Sequence, residues 1–128
     1  MTWRWGKGSL EVRNEIDDRL MLICDQVLTI SPFDLTLTEG RRGMEDQHIA
    51  FMSGASELDW PMSKHNAIEP EPSQAVHIEP YPIDYINTER YFMLAGLMIA
   101  VAESWDIRLR WLGLTTLRDL AHWEVLDV

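Results

Sequence analysis

The chain has 128 residues, 46% hydrophobic and 25% charged, which suits one domain, 1–128, with enough chain to bury a core. A net charge of −10 excludes broad adhesion to nucleic-acid backbones or to anionic lipid, both of which need clustered Lys and Arg. The lone Cys24 excludes an intrachain disulfide.

The start, Met1 to Gly6, carries no apolar run and no small-residue cleavage site, so no signal peptide is expected. Residues 1–8, with Trp3 and Trp5 beside Gly6 and Gly8, read as a flexible N-terminal arm or a partner contact. Ser9 is placed to cap one long helix running to about Thr29. Val12, Ile16, Leu20, Ile23 and Val27 form its apolar stripe. Ser31-Pro32 ends it.

Phe33 to Thr38 alternates apolar and polar, as a half-buried strand does. Glu39 to Gly43 reads as a turn, and Met44 to Met52 as a short helix with Glu45 and Gln47 on its outer side. Residues 53–73, with Gly54, Pro61, Pro70 and Pro72, lack periodicity and are expected to form a long loop. Loops of that length in small domains are usually functional. Gln74 to Glu79 alternates again, with Ala75, His77 and Glu79 on one face, and Pro80-Tyr81-Pro82 is expected to stop that strand.

Asn87 or Thr88 caps a second long helix, to about Ser104, apolar nearly all round and therefore expected at the centre of the core. The apolar run Tyr91 to Ala102 is too short for a bilayer, which needs roughly 20 helical residues. Ile107 to Trp111 and His122 to Leu126 read as further strands, joined through Gly113 to Leu117. Trp105 and Trp111 are expected in the core. Arg108, Arg110 and Arg118 are too few for a nucleic-acid face. Helices and strands do not alternate in a βαβ rhythm. The fold class is therefore α+β, a small, mostly antiparallel sheet packed against two long helices.

Three of the four histidines, His65, His77 and His122, fall at ends of elements beside carboxylates. Imidazole is the commonest protein ligand for zinc, and three ligands plus an open position make a hydrolytic site. Asp119 stands three residues before His122, where it can serve as base while that histidine holds the metal. Spacing alone does not establish such a site, because neither HExxH nor CxxC is present. His48 has no carboxylate pattern around it and reads as surface.

Ordered segments surround these histidines: Glu39-Gly40-Arg41-Arg42, Gln47, Ser63-Lys64-His65-Asn66, Ala75-Val76-His77-Ile78-Glu79-Pro80-Tyr81-Pro82 and Asp119-Leu120-Ala121-His122-Trp123-Glu124. In this order they resemble the D-alanyl-D-alanine carboxypeptidase / L-alanyl-D-glutamate peptidase family of zinc peptidases, and phage endolysins within it. The resemblance covers about residues 33 to 127.

The resemblance implies a zinc-peptidase fold and one Zn2+ held by His65, His77 and His122. It makes Asp119 the general base, and Arg42 the group that polarises the scissile carbonyl. Ser63 and Gln47 would line the cleft. Glu124 would support the strand or a ligand from behind. The implied substrate is the peptidoglycan stem peptide, cut at L-Ala-D-Glu or next to D-Ala. The implied protein is a phage lysis enzyme, a monomer made in the host cytoplasm that reaches the wall after release.

Two departures bear on this. The family's middle ligand is an aspartate, and here the position is His77, with Glu79 on the same face as an alternative ligand. Three neutral imidazoles remain a catalytic ligand set, but they shift preference towards nickel or copper. They also leave open a catalytically impaired homologue that binds cell wall or virion. Second, His65 and His77 stand twelve apart where shorter members have seven, and the insert Ala67 to Gln74 adds Glu69 and Glu71.

Overall fold

The computed structural model describes residues 3–127. Helices α1 (Lys7–Arg13) and α2 (Asp18–Ile30) precede strand β1 (Asp34–Glu39) and helix α3 (Met44–Ser53). After the long loop come β2 (Ala75–Tyr81), α4 (Thr88–Ser104), β3 (Leu109–Trp111), a 3-10 turn at Leu112–Leu114, and β4 (His122–Val125). The four strands form one antiparallel sheet in the order β1-β2-β4-β3. The α+β expectation holds.

The sheet divides its side chains by strand alternation. Leu35, Leu37, Val76, Ile78, Trp123 and Val125 enter the core. There they meet Leu20, Ile23, Cys24 and Val27 of α2 and Leu94, Met98 and Val101 of α4. Leu20, Ile23, Ile78, Val76 and Met98 are fully buried, each contributing roughly 1.5–3 kcal/mol of apolar transfer. The opposite face carries His77, Glu79, His122 and Glu124.

Several expectations are corrected. The single helix over 9–29 is two. The apolar stripe runs through the break, but the backbone at Glu15 to Asp17 pairs with Ser73: Asp17 N–H donates to Ser73 O at 2.8 Å and Ser73 N–H to Glu15 O at 2.7 Å. Asp17 then caps α2, accepting from Arg19 N–H. Ser9 is no cap. It lies buried inside α1, its Oγ accepting from Leu37 N–H at 3.0 Å.

The N-terminal arm is packed from Trp3 onward: Trp3 Nε1–H donates to Ser31 O and Trp5 Nε1–H to Asp25. Residues 1 and 2 lie outside the described part.

Helix α4 is not central. Phe92, Met93 and Ile99 are exposed along one side. Trp105 is half exposed, while Trp111 stacks on Trp123 with ring centroids 5.6 Å apart. Pro80 does not stop β2; it pairs with Leu35 inside the strand. Ile78 N–H points towards β4, donating to Ala121 O, so the nitrogen of Pro80 faces the same side beyond the end of that pairing. No ladder bond is lost there. Among the described residues, no helix is long and apolar enough to cross a membrane.

Candidate metal centre

His65 comes from the long loop, His77 from β2 and His122 from β4. Cross-strand pairing sets His77 directly opposite His122, and the loop folds over that face to add His65. One ligand atom from each lies within 4.8 Å of the others. The ring centroids are 4.8 to 5.4 Å apart with the planes near perpendicular. In sequence the outer two stand 57 positions apart.

The hydrogen bonds behind the rings decide which nitrogens face inward. His65 Nδ1 lies 2.7 Å from Gly40 O. A carbonyl can only accept, so Nδ1 carries the proton and Nε2 keeps its lone pair. His122 Nε2 lies 2.7 Å from Glu124 Oε1, so Nε2 carries the proton and Nδ1 keeps its lone pair. These two lone-pair atoms, His65 Nε2 and His122 Nδ1, face each other at 3.1 Å. Neutral imidazoles in those tautomers cannot bond to one another. A cation between them resolves the arrangement. Two nitrogens at about 2.0–2.1 Å from a tetrahedral centre would stand about 3.3 Å apart, close to what is found. His77 Nε2 is buried without a hydrogen-bond partner, the orphan expected of a third ligand. The donor set therefore fits a metal.

Glu79, the alternative ligand, is placed elsewhere. Its carboxylate accepts from Thr38 Oγ1–H and from Tyr91 O–H, each at 2.8 Å, and it is not in the cluster. Glu124 lies behind His122, its Oε1 2.7 Å from the ring's Nε2. Asp119 Oδ2 stands 3.4 Å from His77 Nε2 on the cleft wall. Ser63 also lines the cleft, and its Oγ accepts from His65 N–H at 3.2 Å, fixing that turn. His48 is on the surface beside Asp59.

Gln47 is fully buried rather than outward or cleft-lining. Its Oε1 accepts from Arg42 Nη1–H at 3.1 Å and from Asn66 Nδ2–H at 3.0 Å, while its Nε2–H donates to Ser56 Oγ and Leu58 O. It is a brace for the arginine. The loop after α3 returns to Gln47 through Ser56 and Leu58, which buries that one residue while Glu45 stays exposed.

Glu39 was missed. A register shift between Leu37 and Glu39 carries it onto the face of His77. It binds Arg42 Nη2, and its Oε1 lies 3.9 Å from His65 Nε2 and 4.0 Å from His77 Nδ1. Its signals were its place one residue past an alternating strand and its membership of the Glu39-Gly40-Arg41-Arg42 segment, in which only Arg42 was given a role. Gly40 follows for a steric reason: a Cβ there would stand 3.0 Å from Glu15 Oε2 and 3.2 Å from Ile16 Cγ2.

Burial drives His65 well below the usual imidazole range, with the neighbouring His77 and His122 adding to it and the Gly40 bond opposing. Burial also lowers His77, against the pull of Asp119. Both are neutral at pH 7, the form that binds metal. A sign follows for the metal-free protein. Above the free imidazole pKa of about 6.5 folded and unfolded chains bind equal protons here; below it the unfolded chain binds more. The urea midpoint of chelated protein is expected to hold from about pH 8 to about pH 6.5 and to fall towards about pH 5, before most carboxylates titrate. A midpoint flat across that lower window would contradict buried neutral imidazoles.

The geometry is that of a small α+β domain with three imidazoles gathered beside a cleft on the polar face of its sheet. A family model for phage L-alanyl-D-glutamate peptidase matches residues 1–118, and the chain belongs to that family. Membership makes it a peptidoglycan peptidase. The matched residues stop just short of Asp119 and His122, which the fold itself brings to the site. The crystal structure of Serratia marcescens L-Ala D-Glu endopeptidase ChiX is similar in fold. Its TM-score is 0.80 at 21% identity, covering 96% of this chain and 90% of that one. No curated protein matches the chain.

Proposed function

We propose that the chain is a zinc peptidase that hydrolyses the L-Ala-D-Glu amide of peptidoglycan stem peptides during phage lysis. The observation that carries the metal is the pair of facing lone pairs on His65 and His122, beside the orphaned nitrogen of His77. Zinc, when held by the three imidazoles, would supply Lewis acidity for water and the scissile carbonyl.

The chain's own residues do the rest. Asp119 accepts the proton of the attacking water at a carboxylate oxygen and returns it to the leaving amine nitrogen. Arg42 donates to the carbonyl oxygen as charge develops there, held in place by Gln47 and Glu39. Glu124 holds His122 in the tautomer that presents Nδ1. The alternative of a non-catalytic wall-binding module gains no support, since the imidazoles gather as a ligand set despite the change at position 77.

Purified sacculi incubated with the protein test this. New D-Glu amino termini are expected, lost on chelation and restored by zinc, with about one equivalent of zinc in the purified protein. Release of free D-Ala instead would assign a D,D-carboxypeptidase. No new amino groups under any divalent metal would overturn the reading.

A further inference from the structure

The cleft is lined by three cations, Arg42, Lys64 and Arg110. Two are committed. Arg42 is held by Glu39 and Gln47, and Lys64 Nζ–H donates to Gln74 Oε1 at 3.1 Å with Asp127 at 4.0 Å. The third is the least tied, at the outer limit of an ion pair with Glu124. Among the described residues, the Arg110 guanidinium makes no hydrogen bond, and its Nη1 stands 4.0 Å from Glu124 Oε2. The other oxygen of that carboxylate already accepts from His122. Arg110 is half exposed, at 54%, in a chain of net charge −10.

Its place is set by the sheet. Arg110 pairs across from Glu124, and Glu124 lies on the face of His122, two residues or roughly 6–7 Å along β4. A long side chain starting there overlooks the ground beside the metal centre. A guanidinium offers five donors in a planar fork that matches a carboxylate.

We propose that Arg110 is a specificity-determining residue that receives a substrate carboxylate next to the scissile amide: the free α-carboxylate of the D-Glu residue. This rests on the reading of the chain as an L-Ala-D-Glu peptidase. In a stem peptide D-Glu continues through its γ-carboxyl, so its α-carboxylate stays free on the carbon that bears the leaving nitrogen. Amidation to D-isoglutamine removes that charge and leaves the scissile bond unchanged. The inference therefore predicts preference for the unamidated stem.

The test uses two soluble muropeptides that differ only in carboxylate or amide at that position, with the zinc-loaded protein. The wild type is expected to cleave the carboxylate form with kcat/KM about tenfold higher, the size of a charge-assisted bond at a half-exposed site, expressed chiefly in KM. Arg110→Gln should bring the ratio of the two substrates close to one, and Arg110→Lys should restore part of it. A purely structural role would lower both substrates alike and leave the ratio intact, so the ratio is readable even if the variant is less stable. Equal cleavage by the wild type, or an undiminished ratio in Arg110→Gln, would overturn the proposal. Cleavage of neither peptide by the wild type would overturn the peptidase reading and this inference with it.

Discussion

Asparagine in place of Asp119 is expected to lower peptide cleavage about 10³-fold, within the range of a lost general base. The change keeps the size of the side chain and removes its proton affinity. Asp119 lies on the cleft wall, 3.4 Å from His77, and the three imidazoles that could hold a metal gather without it. Zinc content should therefore stay at about one equivalent while turnover collapses. The measurement pairs amine release from sacculi with elemental analysis of the same sample. Cleavage at the wild-type rate would remove Asp119 from the chemistry. Loss of zinc together with activity would make it a ligand instead.

The second large effect belongs to His77. His77→Ala should weaken zinc binding by more than about 100-fold, beyond the loss usual for changing a partner behind a ligand. Activity should go with it. His77→Asp, which installs the residue usual in the family, is expected to fall at least about tenfold in activity rather than rise. It removes one imidazole from the donor set and sets a further carboxylate near Asp119 and Glu39, where like charges repel. A gain of activity in His77→Asp would mean that the natural site is impaired. Zinc retained at full affinity in His77→Ala would mean that His77 merely neighbours the metal.

These expectations show how unevenly the sequence could be read. The strand at Asp34–Glu39 was legible because Leu35 and Leu37 alternate with threonines, and β2 and β4 were legible for the same reason. Their alternation also placed His77 and His122 on a face of their own. Gln47 was misplaced because a ten-residue helix with weak periodicity does not record a loop that returns over it. The long first helix was misread because its stripe continues through Ile16, while the break comes from Ser73, far along the chain. Glu39 escaped notice because a bulge has no periodic signature.

Residue order and local pattern already held the chemistry on offer: three imidazoles, Asp119 and Arg42 in a family order, and strands whose alternation keeps those groups out of the apolar core. How they meet was set by long-range packing. It chose the proton-bearing nitrogens of His65 and His122 through Gly40 and Glu124. It set aside Glu79 by tying it to Thr38 and Tyr91, and it left Arg110 beside the cleft with only a loose ion pair to Glu124. The reason is physical. Alternation is a local signal carried by neighbouring residues, whereas a tautomer, an orphaned nitrogen or a free guanidinium depends on which distant backbone or side chain arrives within about 3 Å.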